Sequence, residues 1–180
     1  LHPPAAFAHS YVGGQVMAEA LVRIGDYVAD HGARGDGPYQ AARELLLRES
    51  PRVGAEPLHR AGETTVEAAV RLCGHLAGGV LPIQGPPGAG KTFTGAQMIC
   101  ELVRRGKKVG ITANSHKVIR NLINATIKAA DELGIDLQCC HKADEVEDPQ
   151  HRLSFAKRNE DLFAALSGGA ASVGGGTAWL

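Results

Sequence analysis

Aromatic residues are scarce in this 180-residue chain, which carries one Trp, three Tyr and four Phe. So few rings exclude an extended set of stacking platforms for the bases of single-stranded nucleic acid. Net charge is missing too: 19 basic side chains face 19 acidic ones, which excludes a uniformly basic surface but leaves room for a local basic groove. Cysteine is limited to Cys73, Cys100, Cys139 and Cys140, with no C-x-x-C pair. Cys139-Cys140-His141 is the one cluster with metal-binding residue types, but adjacent cysteines do not easily grip one ion and no second pair completes a tetrahedron. Reduced, partly buried thiols in a cytoplasmic protein are the reading. Long apolar runs are also lacking. Residues 1–14 have neither the basic start nor the apolar core of a signal peptide. The longest uncharged stretch, residues 162–180, is mostly Gly, Ala and Ser, too broken for the ~20 apolar residues of a membrane helix. The eight histidines form no H-E-x-x-H pair, and no G-x-S-x-G elbow supports a hydrolase triad.

What is present is an ordinary globular composition, 44% hydrophobic and 21% charged, enough for a real core. Residues 15–31 repeat Val16, Ala20, Ile24 and Val28 at helical spacing, and Gly32 stops them. Residues 38–48 predict a second helix with Leu45, Leu46 and Leu47 inward. A Pro- and Gly-rich linker is expected over 51–62, dividing a helical lead-in (1–50) from the rest (63–180). A third helix over 63–76 is capped from Gly62. The pattern then alternates: a strand at 80–84, a helix at 92–105, a strand at 108–113, and a helix from Asn114 or Ser115 to Leu133. The inner stripe of that last helix is Val118, Ile119, Leu122, Ile123, Thr126, Ile127 and Ala130. A strand at 135–140, an acidic turn at 144–149, a helix over 150–166 and a strand at 171–174 complete the reading. Strands and helices alternating at this spacing predict an α/β fold with a parallel sheet.

The sequence Gly85-Pro86-Pro87-Gly88-Ala89-Gly90-Lys91-Thr92 fits the phosphate-binding pattern G-x-x-x-x-G-K-[ST]. Gly85, Gly88 and Gly90 let the backbone curl around an anion with its N–H groups inward, and the helix that follows adds its free N–H groups and positive dipole end. Lys91 can reach the β- and γ-phosphates of ATP, and the Thr92 hydroxyl can ligate Mg²⁺. Pro86 and Pro87 stiffen the loop. Pro82 is the local conflict, because it removes a ladder donor from a strand expected near the sheet centre.

Residues 81–92, Leu-Pro-Ile-Gln-Gly-Pro-Pro-Gly-Ala-Gly-Lys-Thr, resemble motif I of superfamily 1 DNA/RNA helicases, in the branch typified by the nonsense-mediated-decay helicases. Residues 109–122, including Ile-Thr-Ala-Asn-Ser-His-Lys, resemble motif Ia, and are most similar to the helicase half of bacterial RecB-like nuclease–helicase fusions. Residues 175–179 resemble the segment around motif Ic. The resemblance implies a partial RecA-like P-loop NTPase domain over 63–180 that couples ATP hydrolysis to 5′-to-3′ movement along single-stranded DNA or RNA. It implies that Thr112, Asn114 and Ser115 contact nucleic-acid phosphates, a role suited to small hydrogen-bonding side chains at a helix start. Helix capping alone also accounts for Asn114 and Ser115.

No apolar run ending in Asp-Glu follows the loop, since Asp144-Glu145 is preceded by His141-Lys-Ala. Hydrolysis requires such a pair, and the family adds arginines from a second RecA-like domain. An adenine-reading glutamine and the upstream nuclease carboxylates of the fusion family are not found either. The chain therefore reads as a fragment that binds nucleotide weakly and turns over little by itself. Two other readings stay open: a stand-alone small P-loop NTPase or kinase, and a non-catalytic nucleotide-binding interaction domain.

Overall fold

The computed structural model describes residues 13–143 and 151–177. The chain divides into two compact units, Leu1–Ser50 and Pro51–Leu180.

In the first unit, α1 (Gln15–His31) ends at Gly32 and keeps only one flank, Ala20, Ile24, Tyr27 and Val28, partly covered. Helix α2 (Gln40–Leu47) overturns the expectation of inward leucines, because Leu45 and Leu46 are 54% and 76% exposed whereas Arg43 and Glu44 are buried. The reason is a polar requirement. The Arg43 guanidinium donates to the carbonyls of Ala33, Gly35 and Pro38 at 2.9–3.1 Å and lies 5.1 Å over the Tyr27 ring. A glycine-rich loop exposes carbonyls that need donors, and one fork of N–H groups serves several of them.

The second unit opens with residues packed against its own core. Val53 is buried, and Arg52 exchanges backbone and side-chain bonds with Ala77. Helix α3 (Thr65–Cys73) is capped by Thr64, not by Gly62. Thr64 Oγ1 accepts from Glu67 N at 3.2 Å, and the Glu67 carboxylate accepts from Thr64 N at 2.8 Å, a reciprocal box that a glycine has no side chain to make. Arg71 donates to Glu63 through Nε and Nη2, both at 2.7 Å, and to Glu56 at 3.1 Å. Its hydrogen bonds are the largest cause holding the Glu63 carboxyl down at about 2, below the usual 4.5. Such a group stabilises the fold fully above pH 4.5, and the contribution is lost as pH falls through about 2. Glu63→Gln is therefore expected to flatten the fall in urea midpoint between pH 5 and pH 2. A variant with the unchanged acid slope would reject the assignment.

Helix α4 (Lys91–Arg104) leads into β1 (Val109–Ala113), α5 (His116–Leu133), β2 (Cys139–Lys142), β3 (Leu153–Ala156), α6 (Asn159–Ser167) and β4 (Val173–Thr177). The strands form one parallel sheet in the order β1-β4-β2-β3. Helices α4 and α5 bury Ala96, Ile99, Cys100, Ile119, Ile123 and Ala130 against one face. Helix α6 covers the other with Leu162, against Cys140, Ala156 and Ala171. The chain thus steps from β1 to β2 across one face and back from β3 to β4 across the opposite face. Both crossovers have one hand, as parallel connections require.

Several expected elements move. Residues 80–84 form no strand: Pro82 cannot donate to a ladder, and no described strand pairs with them. Residues 150–166 are not one helix, because Leu153–Ala156 pairs with β2 before α6 begins. That strand buries only Leu153 and Ala156 and is too short to show a period. The expected strand at 135–140 begins only at Cys139, and that at 171–174 runs on to Thr177. Val118 leaves the inner stripe of α5 at 56% exposure, while Ile119, Ile123, Thr126, Ile127 and Ala130 hold it. The acidic turn and its Asp144-Glu145 lie outside the described residues, as do Ala178 and Trp179.

All four cysteines are free and buried. Strand alternation sends Cys139 to the α5 face and Cys140 to the α6 face, so the two sulfurs cannot share an ion. Burial pushes the Cys139 thiol up to about 12. Among the described residues no three His, Cys, Asp or Glu side chains are grouped to hold a metal, and no helix is long and apolar enough to cross a membrane.

Candidate nucleotide site at the C-terminal edge of the sheet

Helix α4 enters β1 through a tight turn, and α5 leaves β1 at its other end, so both helices start at the carboxyl edge of the parallel strands. They pack side by side, close enough that a Cβ on Gly95 would lie 3.3 Å from Leu122 Cδ1. The glycine-rich loop therefore stands at the edge where open α/β sheets bind ligands.

The loop is a turn closed by Ala89 N donating to Pro86 O at 3.2 Å. Gly88 (φ 81°) and Gly90 (φ 78°) are both left-handed, the second directly before α4. A side chain at either would strain the backbone, which is the physical need behind those two glycines. Gly85 is crowded instead, since a Cβ there would meet Ala89 Cβ at 3.1 Å. Lys91 folds back across the loop, with Nζ donating to Gly85 O at 2.6 Å and Pro86 O at 2.8 Å. An ammonium has three N–H groups, so this tie pins the charge over the loop and leaves one donor for an anion. No side chain caps α4 at Gly90, so the N–H groups of its first turn keep their capacity for an external acceptor. Pro86, Pro87, Gly88, Ala89, Gly90, Lys91 and Thr92 are all exposed. Thr94, which the sequence reading passed over, is buried, and its Oγ1 and N both donate to Gly90 O, at 3.1 and 2.9 Å. It locks the loop onto the helix.

Thr112 lies on the exposed face of β1, opposite Gly176 in the ladder, and Asn114 and Ser115 follow at the strand end, also exposed. Ser115 is the cap of α5: its Oγ accepts from Val118 N at 3.4 Å. The structure thus brings Thr112, Asn114 and Ser115 to the same sheet edge as the loop. Gly175, Gly176 and Thr177, the start of the third resembling segment, form the carboxyl end of β4 beside them. The basic run at 104–108 serves the fold, with Arg104 and Arg105 paired to Glu101 and Lys108 Nζ donating to Ala171 O.

No family model matches the chain, and neither a curated protein nor a solved structure matches it.

Proposed function

We infer that the chain is the ATP-binding part of an ATP-dependent superfamily 1 helicase or translocase, built on a partial RecA-like domain and acting on single-stranded DNA or RNA. One observation carries the reading: a lysine-tied, left-handed glycine loop opens α4 on the same sheet edge as Thr112, Asn114 and Ser115. The cradle fits a polyphosphate, because its donors converge at an uncapped helix start and no side chain fills the space at Gly88 or Gly90. Lys91 holds phosphate charge with its remaining N–H. The Thr92 hydroxyl would hold the Mg²⁺ that accompanies the nucleotide, and the ion would there neutralise phosphate charge. Thr112, Asn114 and Ser115 offer uncharged donors to the phosphates of the bound strand. The other partners of this reading are a second RecA-like domain and an upstream nuclease in the parent protein.

Thermal unfolding with and without millimolar Mg·ATP tests the nucleotide site, since a ligand that binds only the folded state raises Tm. An unchanged Tm overturns it. ATP hydrolysis by the parent protein that rises with added single-stranded oligonucleotide supports the helicase class, whereas phosphotransfer to a small acceptor would replace it with a kinase.

A further inference from the structure

Behind the strand ends, α5 is tied to β2 by two histidines. His116 opens α5 directly after the Ser115 cap, and His141 is the third residue of β2. Nδ1 of His116 lies 3.3 Å from Nε2 of His141, with ring centroids 5.4 Å apart. Neutral imidazole presents one donor and one acceptor nitrogen, so facing rings make one directed bond in either tautomeric arrangement. His141 is only 2% exposed. It sits on the α5 face of its strand, 6.2 Å from the Phe155 ring on β3 and 3.8 Å from where a Cβ on Gly175 of β4 would lie. Arg120, one turn along α5, lies 4.8 Å over the same Phe155 ring.

Two further bonds hold the start of α5. The Ser115 cap is long at 3.4 Å, and the first backbone bond, Ile119 N to Ser115 O, is 3.3 Å. They are about as long as the His116–His141 bond, so the first turn of α5 is held by several bonds of similar length rather than by one short one. Asn114 and Ser115 therefore hang between the β1 ladder on one side and His116 on the other. We propose that His141 is a positioning residue: through its hydrogen bond to His116 it fixes the first turn of α5, and so sets Asn114 and Ser115 in place for the phosphates of a single-stranded nucleic acid. This rests on the reading of Thr112, Asn114 and Ser115 as nucleic-acid contacts. His141 is 2% exposed, too buried to touch the nucleic acid itself, so its effect on binding passes through His116.

The test compares His141→Leu, which keeps the apolar volume but removes the bond, with His141→Gln, whose amide still donates and accepts. Fluorescence anisotropy of labelled 20-mer oligothymidylate and oligouridylate gives affinity and its salt dependence, and amide exchange reports on residues 114–118. The Leu variant is expected to bind about 5- to 10-fold more weakly, the scale of one lost hydrogen bond. Its salt slope should stay that of the wild type, since no phosphate contact is removed. Exchange at 114–118 should quicken, and Gln should restore both properties. His116→Ala, at the accessible end of the bond, should reproduce the loss of affinity with the core untouched. Wild-type affinity in both His141→Leu and His116→Ala overturns the proposal, as does a loss in His141→Leu that Gln does not restore, which would mark a packing role. If the wild type binds neither oligonucleotide, the nucleic-acid reading itself falls, whatever the exchange at 114–118 shows. That outcome is distinct from oligonucleotide binding that is indifferent to His141.

Discussion

Lys91→Ala is expected to weaken Mg·ATP binding by about 10- to 100-fold, the scale of a lost charge-assisted hydrogen bond to phosphate. Two effects add in the same direction. The charge over the loop disappears, and so do the bonds to Gly85 O and Pro86 O, at 2.6 and 2.8 Å, that hold the loop closed. Lys91→Arg separates them, because a guanidinium keeps the charge but is too broad and planar for the ammonium's three-way tie. Arginine should therefore also bind poorly, though its global stability is unchanged, since Lys91 is exposed. The measurement is isothermal titration of Mg·ATP alongside urea unfolding of each variant. Wild-type affinity in Lys91→Ala would dismiss the loop as a phosphate site, and a matching drop in stability would recast the lysine as a structural clamp.

The second large effect is on stability and lies in β4, whose sequence is Val-Gly-Gly-Gly-Thr. A Cβ on Gly175 would sit 2.6 Å from Ile119 Cγ2 and 2.8 Å from Ile123 Cδ1, and one on Gly174 would sit 2.7 Å from Leu166 Cδ1 on the opposite face. Central glycines here allow α5 and α6 to press onto the sheet from both sides. Gly175→Ala should destabilise by about 1–3 kcal/mol, as overpacking does, and Gly175→Val by about 3 kcal/mol or more. Gly110 in neighbouring β1 is the control, with nothing within 4 Å of its would-be Cβ. Gly110→Ala should leave stability unchanged or raise it by up to about 1 kcal/mol, because it restrains only the unfolded chain. Equal urea midpoints for Gly175→Ala and Gly110→Ala would remove the close approach as the reason for this strand.

Elements with a repeating apolar face could be read from the chain. Helix α5 declares itself through Ile119, Ile123, Thr126, Ile127 and Ala130, and Gly134 stops it. Strand β1 does so through a β-branched run that a helix must follow. Short buried segments could not be read. Leu153–Ala156 has four residues, of which only the first and last are buried, and β4 is mostly glycine, a residue depleted in strands. The inward turn of Arg43 was equally hidden, because it answers carbonyls of a loop up to ten residues away.

The site divides in the same way. The loop, its helix and the residues Thr112, Asn114 and Ser115 are local in sequence, and the backbone needs that single them out are local too: left-handed glycines, an uncapped helix start, a helix cap. Sequence alone was enough to nominate them, and its few aromatics and zero net charge gave a first clue to partners. Only the tertiary structure decided that these segments share one sheet edge, and that His141, the neighbour of two cysteines in sequence, turns away from Cys140 to meet His116. Those outcomes depend on which strand lies next to which. Strand order is set by the packing of whole faces, and β1-β4-β2-β3 is not an order that any local pattern encodes.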